Sequence, residues 1–124
     1  MYGPDRLVKD LAEMGHTVER VAGADGNVYA VIRGFVVPLG RFADREIDLG
    51  LLATPDFPRT VGSSLHIRAD PQLLEYGYVQ DVRNIIQSPL GPAWRYWSHN
   101  FGWTDGERSA RRLLSQINGI FAHA

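Results

Sequence analysis

The chain has 124 residues, 44% of them hydrophobic and 22% charged, with a formal net charge of −1. That length fills one hydrophobic core rather than two, and the near-neutral balance exerts no overall pull on nucleic acid or on an anionic membrane surface. The complete lack of cysteine excludes a thiolate nucleophile, a disulfide and a zinc–thiolate site.

No stretch approaches the roughly 20 apolar residues of a membrane span. The segment Met1-Tyr2-Gly3-Pro4-Asp5-Arg6 lacks the basic and apolar regions of a signal peptide, so a cytoplasmic domain is expected. Twelve of the thirteen basic residues are arginine, Lys9 being the exception. A GC-rich coding sequence explains this most simply. The functional alternative is that lysine is avoided beside an acyl donor that modifies lysines, whose amine can deprotonate where a guanidinium does not.

Residues 4–14 are predicted as a helix, because Leu7, Val8, Leu11 and Met14 fall on one face of a 3.6-residue repeat. Pro4 suits its first turn, Asp5 its positive end, and Gly15 its stop. Strands are expected over 17–21 and 28–37, joined at Asp25-Gly26, a strong hairpin-turn pair. Further strands are expected over 46–52 and 63–68, with Pro55, Pro58 and Pro71 confined to connections. Residues 72–102 mix aromatics, prolines and glycines and read as a long irregular crossing, with a short helical or extended piece near 79–86.

Thr104 and Glu107 have the spacing of a capping box. They precede a helical stripe of Ala110, Leu113, Leu114, Ile117, Ile120 and Phe121 ending near Ala122. The expected architecture is a single α+β domain over residues 1–124. It consists of an N-terminal helix, a four-stranded antiparallel meander, an irregular crossing and a C-terminal helix.

Two local patterns carry a family resemblance. The connection Ala53-Thr54-Pro55-Asp56-Phe57-Pro58 resembles the aromatic-proline loop of ubiquitin-conjugating (UBC) enzymes. Gly102-Trp103-Thr104 followed by Leu113-Leu114-Ser115-Gln116-Ile117 resembles their tryptophan-turn-helix. The chain is most similar to the prokaryotic E2-type family E, through Ile47-Asp48-Leu49, Pro55-Asp56-Phe57-Pro58 and Trp94-Arg95-Tyr96-Trp97-Ser98-His99. An arginine is missing between Ser98 and His99, and the loop's second proline pair is replaced by Val61-Gly62. The position corresponding to the conjugating cysteine falls on Arg95.

The resemblance implies a UBC-like fold and a bacterial pathway with a ubiquitin-like protein and its activating enzyme as partners. Partner contacts are expected at Phe57, Pro58, Trp94 and Arg95, and no cofactor or metal is expected. The chain then acts either as a non-catalytic adaptor or by transfer through an oxyester, the only ester it can form. The alternative is a stand-alone interaction module with no role in conjugation.

Ser98 and His99 are the one pair with nucleophile-and-base chemistry. In a strand, neighbouring side chains point to opposite faces, so a base for Ser98 would come from elsewhere, and local backbone bonding is the plainer role. Trp97 and Trp103 are expected in the core. Trp94, beside prolines, is expected to be exposed and to anchor a partner. His66 alternates away from Leu65 and Ile67 and is expected to face outward or partly cover the sheet. The four histidines show no metal-ligand spacing. Arg108, Arg111 and Arg112 read as a solvated helix face or as a site for an acidic partner.

Overall fold

The computed structural model describes residues 2–62, 64–73, 77–79, 82–97, 101, 103 and 108–123. Helix α1, Pro4–Glu13, begins with proline in its first turn and Asp5 near its positive end. Its apolar face buries Leu7 and Leu11 completely. A second helix, α2, spans Ala110–His123. Its buried residues Leu113, Leu114, Ile117, Ile120 and Phe121 recur at helical spacing, which accounts for the amphipathic stripe. The capping-box residues Thr104 and Glu107 lie outside the described residues. Among the described residues, no helix is long and apolar enough to cross a membrane.

The described strands are β1 Thr17–Ala22, β2 Val28–Val36, β3 Glu46–Leu52, β4 Leu65–Arg68, β5 Gly77–Val79, β6 Val82–Ser88 and β7 Gly91–Trp97. They form one sheet in the order β1-β2-β3-β4-β7-β6-β5, and every neighbouring pair is antiparallel. The helix, the meander and the final helix follow the expected order. The crossing does not. Three strands occupy much of residues 77–97, so the expectation of an irregular connection is corrected. The fold is α+β, and its sheet is wider than a four-stranded meander.

β7 explains the discrepancy. It inserts beside β4, with Leu65 opposite Trp97 and Arg68 opposite Trp94. Its Trp94 and Trp97 lie in two different buried clusters, so both faces are covered and the polar–apolar alternation of a half-exposed strand is absent.

Both helices contribute to the larger cluster, on the face that also takes Phe35, Leu49, Phe57, Leu65 and Trp97. Phe121 of α2 packs between Phe35, at 6.1 Å, and Trp97, at 5.7 Å between ring centres. The opposite face has its own small core of Tyr29, Val31 and Trp94, with Val21, Leu52 and Leu90 packed against it. A turn rather than a helix closes that face. The β6–β7 turn brings Leu90 over Gly50, where an added Cβ would stand 2.7 Å from the leucine methyl and 3.3 Å from His66 Cβ. The Ala24 N–H of the β1–β2 hairpin donates to Pro89 O at 2.8 Å, joining the tips of two hairpins across the face.

The β1–β2 turn forms at the expected Asp25-Gly26. Gly23 N–H donates to Asn27 O at 2.8 Å, and Asn27 N–H donates to Asp25 Oδ1 at 3.1 Å. In β2 the register shifts between Ile32 and Phe35. Gly34 there has φ 65°, a conformation glycine adopts without Cβ strain. The bulge presents its N–H to Asp48 Oδ1 at 3.2 Å.

Candidate functional site

The Phe57-Pro58 connection is held from within. Phe57 N–H donates to Thr54 O at 3.3 Å, Arg59 N–H donates to Asp56 O at 2.9 Å, and Thr60 Oγ1 bonds Asp56 and Thr54. The Phe57 side chain is wholly buried, and its carbonyl accepts Gly3 N–H at 2.9 Å. Phe57 therefore positions this loop and offers no side-chain surface to a partner, which corrects its assignment as a contact. Pro58 is half-buried, and its carbonyl accepts the indole N–H of Trp103 at 2.8 Å.

Around that bond lies a surface of rings and guanidinium groups. Arg112 stacks over the Trp103 ring at 4.9 Å, and Arg59 over the Tyr2 ring at 5.1 Å. Tyr2, Pro58, Arg59 and Arg108 line a shallow depression of about 210 Å³, and no carboxylate lines it among the described residues. Aromatic and arginine side chains of this kind anchor protein–protein contacts, because each supplies a large area and arginine a forked donor. Trp103, expected in the core, is half-buried and packs against the larger cluster.

Trp94 is 5% exposed, so the expectation of an exposed anchoring indole is also corrected. It lies under Arg68, whose guanidinium is 5.0 Å from its ring. Arg68 in turn grips Asp48 Oδ2 at 2.9 and 2.6 Å, and Arg33 reaches the same oxygen at 3.2 Å. Arg95 points to the other side of β7, and its Nη1 donates to the carbonyls of Pro92 and Trp94 at 3.0 and 3.2 Å. It borders a cleft of about 640 Å³ together with Asp48, Arg68, Asp70 and Gln72. Phe57 and Trp94 belong to cores on opposite faces of the sheet, so the four expected partner residues do not share one surface. Ser98 and His99 lie outside the described residues.

One polar cluster has no signal in the sequence spacing. His66, expected to face outward or cover the sheet in part, is 2% exposed. Its Nδ1 shares a hydrogen bond with Ser88 Oγ at 2.8 Å. The imidazole sits edge-on to the rings of Tyr29, at 4.9 Å, and Tyr96, at 5.1 Å. Tyr29 donates to Asp25 Oδ2 at 2.6 Å, and Ser64 donates to the Tyr96 hydroxyl at 2.8 Å. Burial pushes the His66 imidazole down to about 4, against a weaker upward pull from the Asp25 carboxylate. The hydrogen bond from Tyr29 holds Asp25 below the usual carboxylate range, and burial raises the phenol of Tyr29.

A neutral imidazole beside a hydroxyl has the elements of a base and a nucleophile. Here Ser88 Oγ also accepts Leu90 N–H at 3.1 Å, and rings cover the imidazole. The pair therefore ties a turn to the sheet. Strand pairing assembles it from residues far apart in the chain, so only the fold reveals it. Among the described residues, no group of three or more histidine or acidic side chains is placed to hold a metal ion. Comparison with protein-family models, curated proteins and solved structures finds no match to this chain.

Proposed function

We propose that this chain is a UBC-like, non-catalytic adaptor of a bacterial ubiquitin-like modification pathway, binding the modifier or its activating enzyme in the cytoplasm. The observation that carries the proposal is the bond from Trp103 Nε1–H to Pro58 O at 2.8 Å. It joins the two local patterns on which the resemblance rests, the aromatic-proline connection and the tryptophan turn. The order of α1, the β1–β4 meander and α2 supports the same reading. Strands β5–β7 depart from it, because they stand where the resemblance implies an irregular crossing. The lack of cysteine removes thioester transfer and favours binding over catalysis. The surface around Tyr2, Arg59 and Arg108 supplies contacts suited to a protein partner.

Calorimetric titration of the chain with a bacterial ubiquitin-like protein and its activating enzyme, taken from the gene neighbourhood if it encodes them, tests the proposal. Binding to one of them is expected, with Arg59→Glu weakening it about tenfold, as loss and reversal of an interfacial charge does. Absence of binding to both overturns the proposal and leaves a stand-alone interaction module. Incubation with both proteins and ATP separates adaptor from transferase. An adduct that survives thiol reductant, breaks in hydroxylamine and disappears in Ser98→Ala would establish oxyester transfer in place of an adaptor role.

A further inference from the structure

A groove of about 440 Å³ runs between the C-terminal end of α1, the outer end of β2 and α2. Met14, Phe35, Val36, Pro38 and Leu114 make its wall apolar. Met14 is 42% and Val36 53% exposed, and Leu39 beside Pro38 is 42% exposed. These are three of the five large apolar side chains most exposed among the described residues. Apolar surface gathered in this way, unlike scattered single residues, marks a binding face.

Three further features define what would lie there. Strand β1 begins opposite Arg33, so the outer edge of β2 over Gly34–Val36 has no strand beside it among the described residues. The amide oxygen of Asn118, in the groove wall, is shielded from solvent and accepts no hydrogen bond among the described residues. Arg111 is the groove's arginine, and it makes no ion pair or hydrogen bond among the described residues. Among the described residues no carboxylate lines the groove, and residues 108–123 contain no aspartate or glutamate.

We infer that this groove binds an extended segment of a partner protein carrying alternating apolar and acidic residues. The segment's backbone runs along the free edge of β2, as in strand addition, and one of its N–H groups donates to Asn118 Oδ1. Its apolar side chains fill the space between Val36, Met14 and Leu114. A carboxylate on the segment meets Arg111 through a charge-assisted, bidentate contact. The occupant is fixed by charge complementarity: the apolar wall alone would accept many sequences, but Arg111, a cation without an ion pair among the described residues, selects acidic ones. This inference stands apart from the conjugation pathway, because neither the modifier nor the activating enzyme enters its test.

The probe is an N-acetylated hexapeptide of alternating leucine and aspartate, titrated into the isotopically labelled full chain and followed by backbone amide shifts. Shifts are expected at Met14, Val36, Arg111 and Asn118, with affinity falling as salt rises. Arg111→Glu is expected to weaken binding about tenfold and to transfer preference to the matching leucine–lysine peptide. The arginine is exposed, so the variant's fold is expected to persist, and an unchanged denaturation midpoint checks this. Shifts centred elsewhere, or an Arg111→Glu affinity like that of the parent chain, overturn the inference. Concentration-dependent self-association abolished by Val36→Asp would also overturn it, by making a second copy of this chain the occupant.

Discussion

Trp97→Ala is expected to destabilise the protein by about 3–5 kcal/mol, the range for deleting a large aromatic from a packed core. Trp97 is fully buried, stands opposite Leu65 in the central β4–β7 pair, and meets Phe121 of α2 edge-on. Its removal opens a cavity where sheet and helix join, and small domains hold a total stability of only about 5–15 kcal/mol. Urea denaturation followed by circular dichroism measures the loss. Trp103→Ala removes a half-buried ring, one hydrogen bond to Pro58 and the Arg112 stack, for about 1–3 kcal/mol. Equal losses in the two variants would show that Trp103, not Trp97 alone, carries the core. Trp97→Phe tests the same site more gently. The indole N–H of Trp97 is buried with no partner among the described residues, so phenylalanine retains much of the packing and deletes an unpaired donor.

Stability is expected to fall as pH drops from about 6.5 to about 4. His66 is held neutral in the folded protein, with its ionisation pushed down to about 4 by burial, whereas in the unfolded chain it titrates near its ordinary value of about 6.5. Between those values the unfolded chain binds a proton that the folded protein does not. Stability is thus fully present above the unfolded value and declines by about 1.4 kcal/mol per pH unit below it, roughly 3 kcal/mol over the window. The loss levels off below about pH 4, where the folded state also takes up the proton. Asp25, held below its ordinary range mainly by Tyr29, adds a separate loss at more acidic pH. Denaturation midpoints at half-unit pH steps measure the profile. His66→Gln is expected to flatten the decline between pH 6.5 and 4, and an unchanged slope in that variant would remove His66 as its source.

Much of the fold was legible because its local signals agree. The α1 stripe, the Asp25-Gly26 turn and the Glu46–Leu52 strand coincide with the observed elements within a residue or so. Strand β6 was half legible, as a helical or extended piece near 79–86, and β7 was not, for physical reasons. Pro89, Gly91 and Pro92 punctuate the sequence where a hairpin was needed, and proline at the beginning of a strand reads like a break. Burial of Trp94 and Trp97 in opposite cores removed the period of two that would have marked β7. The same insertion misplaced the site. Trp94 reads as exposed from its proline neighbours, yet Arg68 and the helix-free core enclose it. Phe57 and Pro58 were singled out correctly as a special connection, but only the fold shows that Pro58 meets Trp103. His66 and Ser88 come together solely because β4 and β6 flank β7.

The bond between Ala24 and Pro89 also orders events in time. Each hairpin it joins is made from neighbouring residues and can close on its own within about 1–10 μs. Their tips become neighbours only after β3 and β4 have been laid between them, which requires long-range pairing and its loop-closure entropy. The compartment around His66 is accordingly sealed at the end of folding, when the tips meet over Gly50. On unfolding, the same contact is expected to part early, letting water reach the imidazole. Acid then acts as a trap as well as an equilibrium force: a proton captured by His66 during such an opening opposes its reclosure.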